Sequence, residues 1–131
     1  PGVARRLPAG SKILIQMHYT TNGRAAEDLS SVGFRFCKPD DVADEIEALA
    51  ANNFFIVIPP NKPDHQIKAV YHFQKDKLLV NLTPHMHMRG KSFRFEAVYP
   101  GGEREILLDV PRFDFNWQLQ YNLAKPKMMP K

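Results

Sequence analysis

Apolar and polar residues alternate with a period of two along much of the chain. Ile13, Ile15, Met17 and Tyr19 fall on one side of an extended segment, with Leu14, Gln16, His18 and Thr20 on the other. Ile67, Ala69, Tyr71 and Phe73 alternate with Gln66, Lys68, Val70 and His72. Phe93, Phe95, Ala97 and Tyr99 alternate with Arg94, Glu96 and Val98. From Phe113 to Leu123 every odd position is apolar and every even one polar. Such alternation predicts half-buried antiparallel strands, one face on a core and one in water. Phe54–Ile58 is also expected to be strand. Turn signals separate these runs at Thr21-Asn22-Gly23-Arg24, Pro59-Pro60-Asn61-Lys62-Pro63-Asp64 and Pro100-Gly101-Gly102-Glu103. The last predicts a hairpin joining Phe93–Tyr99 to Glu105–Val110. Together these features predict an all-β chain, an antiparallel β-sandwich. One segment departs: Val42, Ile46 and Leu49 lie at helical spacing behind an Asp cap, predicting a short helix over Asp40–Ala50.

Composition adds limits. A chain of 131 residues with 44% hydrophobic and 24% charged residues has the make-up of an ordinary globular protein. The net charge of +4 is mild, and its Lys and Arg are scattered among acids, which gives no footprint for nucleic acid. No apolar run reaches the length of a membrane span. The chain opens on Pro1-Gly2-Val3 and stops at Met129-Pro130-Lys131, which reads as a segment of a longer protein. The lack of a targeting signal therefore carries no information about location. Cys37 has no partner for a disulfide and is expected to be a buried, inert thiol.

The candidate chemistry lies in Leu82-Thr83-Pro84-His85-Met86-His87-Met88-Arg89-Gly90-Lys91. In extended chain the side chains of His85 and His87 share one face, so the two imidazoles are able to grip one ion. Cu, Zn, Fe and Ni all accept imidazole, and two such nitrogens leave coordination positions open. A pair of solvated histidines has the same spacing. His18, on the polar side with Gln16, stands as a second candidate beside the reading of a hydrogen-bonded surface histidine.

The motifs Gln16-Met17-His18-Tyr19, Ile58-Pro59-Pro60 and His85-Met86-His87 followed by Gly90-Lys91 occur in that order. In this the chain resembles the type II copper, ascorbate-dependent monooxygenases, the family of peptidylglycine α-hydroxylating monooxygenase and dopamine β-monooxygenase. The resemblance runs from Leu7 to about Tyr99. It implies two jelly-roll-like β-sandwich domains with one copper each, residues 1–38 closing the first and 39–131 forming the larger part of the second. It further implies that His18 is one of three histidines on the electron-transfer copper, the other two lying upstream of Pro1. His85 and His87 would hold the second copper with a Met thioether further along than Met128 or Met129. The implied activity is hydroxylation of a substrate C–H bond with O₂ and ascorbate as reductant. The family's setting implies a periplasmic or secreted location. The implied partners are O₂ and a small-molecule substrate.

The sequence also departs from the family. Peptide-hydroxylating members anchor a substrate carboxylate on an Arg where this chain has Thr83, so a peptide substrate would need Arg89 or Arg94 in that role. A non-catalytic β-sandwich serving as a binding or copper-carrier module is the alternative reading. A hydrolytic zinc site would need a third protein ligand and a nearby base, and none is identifiable. His65 reads as solvated, His72 shares its strand face with Lys68 and matches no family ligand, Met86 and Met88 read as packing residues, and Trp117 with its aromatic neighbours as core. Asp109 and Asp114 have no partner carboxylate for acid–base work.

Overall fold

The computed structural model describes residues 2–131. Its regular structure is almost wholly strand. β1 (Val3–Ala4) and β2 (Asp44–Glu45) form a short parallel bridge, preceded by a single 3₁₀ turn at Pro39–Asp41. β3 (Lys77–Leu82) pairs antiparallel with β6 (Tyr121–Met129), and β4 (Phe93–Val98) pairs antiparallel with β5 (Arg104–Val110). Two compact units divide between Ala50 and Ala51. The first contains β1 and β2, the second β3 to β6.

In the first unit the helix expected over Asp40–Ala50 does not form. The backbone N–H groups of Ala43 and Asp44 donate to the Gly2 carbonyl at 2.7 and 3.0 Å, and that of Ile46 donates to Ala4 at 2.9 Å. The Ile46 N–H, which a helix would spend on its own carbonyl, is taken by Ala4 in β1, so pairing across the chain overrides local propensity. An ion pair between Arg6 and Glu45 spans the same bridge. Cys37 is exposed, contrary to the buried thiol expected.

The second unit keeps the predicted hairpin. Phe93, Phe95 and Ala97 face inward along β4 while Arg94, Glu96 and Val98 face water. The turn closes with Gly102 N–H donating to Tyr99 at 2.8 Å and Tyr99 N–H to Glu103 at 2.9 Å. Gly102 takes φ +91°, where only glycine is unstrained. The register slips between Phe95 and Glu96, which leaves Leu107 as the extra residue on β5. β3 and β6 slip more widely, from Leu79 opposite Lys127 to Asn81 opposite Asn122. Pro126 lies in that slip and has no N–H to give the ladder. The buried apolar residues of this unit are Leu82, Ala97, Met129 and Pro84.

Other predicted strands are extended without being paired. Among the described residues, Ile13–Thr20, Phe54–Ile58 and Gln66–Phe73 join no ladder. The period of two still shows in the Tyr71 and Phe73 rings, 5.1 Å apart on one side of the chain. Alternation sets which way side chains point, but a strand also needs a neighbour to accept its backbone bonds. The run Phe113–Leu123 is strand only from Tyr121 onward. Before that, Trp117 N–H donates to the Asp114 carbonyl at 3.0 Å and Asn116 N–H to Asp114 Oδ1 at 2.8 Å. The aspartate side chain thus closes a turn where alternation predicts strand. Trp117, expected in the core, is 68% exposed.

Candidate metal centre

The His loop begins where β3 ends. Leu82 and Pro84 are buried and Met86 half-buried, while Thr83, His85 and His87 are exposed. From Leu82 to His87 buried or half-buried residues thus alternate with exposed ones, and both histidines fall on the open side. Pro84 stiffens the exit through its fixed φ. Past the pair, Gly90 N–H donates to the His87 carbonyl at 2.8 Å and turns the chain back. Gly90 lies so close to Met86 and the Phe113 ring that an added Cβ would sit 2.8 Å from each. Met86 is therefore a packing residue, as expected, whereas Met88 is 82% exposed.

The two imidazole rings lie 5.2 Å apart between centroids and 81° from coplanar. A metal bonded to one nitrogen of each ring at roughly 2.0–2.1 Å would lie about 3.2 Å from each centroid. The 5.2 Å separation is below the span of roughly 6.4 Å that one such ion could bridge, so the spacing admits a shared ion. Among the described residues, no cluster of three or more His, Cys, Asp and Glu side chains converges on one point. The pair thus has no third ligand of those types beside it. Met128 and Met129 sit opposite Leu78 and Lys77, at the end of the β3–β6 ladder away from the His loop. From Tyr121 to Met128 the strand runs on the order of 20 Å, so neither thioether reaches the pair.

Three neighbours frame the loop. Lys91 pairs with Asp64, which ties the tail of the His loop to the Pro59–Asp64 turn. That turn forms as predicted, with Asn61 at φ 56°. Phe113 N–H donates to the Lys91 carbonyl at 2.9 Å, bringing the Asp114–Trp117 turn alongside. From that turn Gln118 reaches His85, its Oε1 standing 2.6 Å from Nδ1. The alternating pattern marks Gln118 only as one polar position among several. Arg94, weighed as a carboxylate anchor, is held instead in a two-pronged pair with Asp109, its cross-strand partner, at 3.0 and 3.3 Å. Hydrogen bonding to Arg94 holds the Asp109 carboxyl below the usual aspartate range.

His18 lies in the first unit, exposed and outside any ladder. Its neighbour Tyr19 donates to Asp28 at 2.8 Å, and Ser30 donates to the same carboxylate at 2.9 Å. No helix among the described residues is long and apolar enough to cross a membrane. No protein-family model, curated protein or solved structure matches this chain.

Proposed function

We propose that the chain is part of a copper-dependent monooxygenase, with His85 and His87 as ligands of the copper at which substrate is hydroxylated. The observation that carries this reading is the exposed pair of imidazoles, 5.2 Å apart, on the open side of the alternating stretch that runs from Leu82 to His87. The Lys91–Asp64 pair supports it by joining the Gly90-Lys91 tail to the Ile58-Pro59-Pro60 turn, two motifs on which the family resemblance rests. Copper, when bound, supplies a one-electron couple and activates O₂ for attack on a C–H bond, with ascorbate as reductant. The chain's own part is to hold two nitrogens on an exposed face and keep side access open to a small-molecule substrate. With Arg94 engaged by Asp109 and Thr83 in the anchoring position, a substrate with a peptide carboxylate would depend on Arg89 for its anchor. His18 is assigned in the same reading to a second, electron-transfer copper. An antiparallel, jelly-roll-like sandwich completes the proposal, with β3–β6 and β4–β5 as parts of its sheets. The Lys127–Glu105 contact that bridges these two ladders supports it. A periplasmic or secreted location accompanies the reading.

The test is copper content. Protein loaded with Cu(II) and desalted is expected to lose about one copper per chain when His85 and His87 are both changed to Ala. Unchanged copper in that double variant would sink the proposal. Copper that is held at the pair but supports no ascorbate-dependent O₂ uptake in the full-length protein would favour a copper-carrier module.

A further inference from the structure

We propose that Gln118 is a positioning residue that fixes His85 in its Nδ1–H form and so reserves Nε2 for the metal. The metal half of this inference rests on the reading of His85 and His87 as ligands; the tautomer half stands on geometry alone.

The reasoning starts at the far end of the Gln118 amide. Its Nε2 donates to the Phe115 carbonyl at 2.8 Å. A carbonyl oxygen only accepts, so the amide group facing Phe115 must be the NH₂. The opposite end is then the amide oxygen, and it stands 2.6 Å from His85 Nδ1. An amide oxygen also only accepts, so Nδ1 must carry the proton. Rotating the amide by 180° would set its oxygen against the Phe115 carbonyl, two acceptors face to face. A neutral imidazole carries one proton, and with that proton on Nδ1 the lone pair lies on Nε2.

The turn that places Gln118 is itself fixed. The Asp114 side chain and carbonyl bond to Asn116 and Trp117, and Phe113 is tied to Lys91 beside the His loop. The amide is therefore supplied by a braced segment, and both of its ends are occupied. Histidine side chains in water favour the Nε2–H form, so Gln118 selects the minor form. A hydrogen bond to the non-ligating nitrogen sets ring orientation and raises the basicity of the ligating one.

Two measurements test this. Long-range ¹H–¹⁵N correlation spectra of the metal-free protein, at a pH where His85 is neutral, are expected to show Nδ1 protonated and Nε2 bare. Gln118→Ala is expected to return His85 toward the Nε2–H form and to weaken Cu(II) binding by about 10- to 100-fold. An Nε2–H His85 in the unaltered protein overturns the proposal, as does a Gln118→Ala variant with unchanged tautomer and affinity. Either result leaves the ligand role of His85 and His87 standing. Copper binding that ignores His85→Ala overturns the metal half, even where the spectra show Nδ1–H.

Discussion

Gly90 shows how little room the His loop has to move. A methyl group there would meet Met86 Cβ and Phe113 Cδ1 at 2.8 Å each. Neither atom is the tip of a flexible chain: one is fixed to the backbone and the other belongs to a ring. Gly90→Ala must therefore displace the loop or the Phe113 side chain, at a cost of about 1–3 kcal/mol, as for other overpacked sites. Because Gly90 N–H also holds the His87 carbonyl, the shift passes directly to the candidate ligand. Urea denaturation is expected to show the loss, and a midpoint unchanged from the unaltered protein would contradict it. At this scale the sequence was informative about His85 and His87, because a period of two is a local property of extended chain. It was uninformative about Gln118, whose role depends on a contact 33 positions away and on which end of its amide faces inward.

Between elements, legibility follows the distance a contact spans. β4 and β5 are joined by a four-residue turn signal, so alternation and turn chemistry together define the hairpin. β3 and β6 pair across some forty intervening residues, and nothing local in β3 announces its partner. The Asp114–Trp117 turn was hidden by a pattern that satisfies strand alternation, while the Asp114 side chain chose a turn. The two ladders of the second unit meet through charge: Lys127 on β6 lies 2.5 Å from the Glu105 carboxylate on β5, and Tyr99 donates to that carboxylate at 2.8 Å. The bonds from Lys127 and Tyr99 hold Glu105 below the usual glutamate range, and Glu105 holds Lys127 above the usual lysine range. The glutamate contribution is therefore complete above its unfolded-state pKa of about 4.3 and disappears as pH falls through the lower folded value. The lysine contribution is complete below about 10.4 and disappears as pH rises through its higher folded value. Glu105 is exposed and Lys127 and Tyr99 only half-buried, so salt weakens both effects. Denaturation midpoints followed from neutral to acid pH are expected to fall less steeply in Lys127→Met than in the unaltered protein. Coincident profiles would mean that the contact between the ladders contributes nothing.

Across the whole molecule, the strand-rich character was legible and the extent of pairing was not. Period two records a preference for extended backbone, which Phe34 and Phe36 still express with stacked rings 6.2 Å apart outside any ladder. Burial requires a second surface, and Leu14, Leu29 and Phe55 remain over nine-tenths exposed for want of one. The same openness gives the chain a native optical probe. Trp117 is the one tryptophan in the sequence, and its neighbour Gln118 bonds directly to His85. Paramagnetic Cu(II) held by the histidines would drain the excited state of an indole so close by. Emission should therefore dim as copper is added, recover on chelation, and stay constant in the His85→Ala, His87→Ala protein. A titration curve shared by both proteins would show the indole responding to copper elsewhere. The position of Trp117 outside the core thus makes occupancy of the His pair visible to a fluorometer without any label.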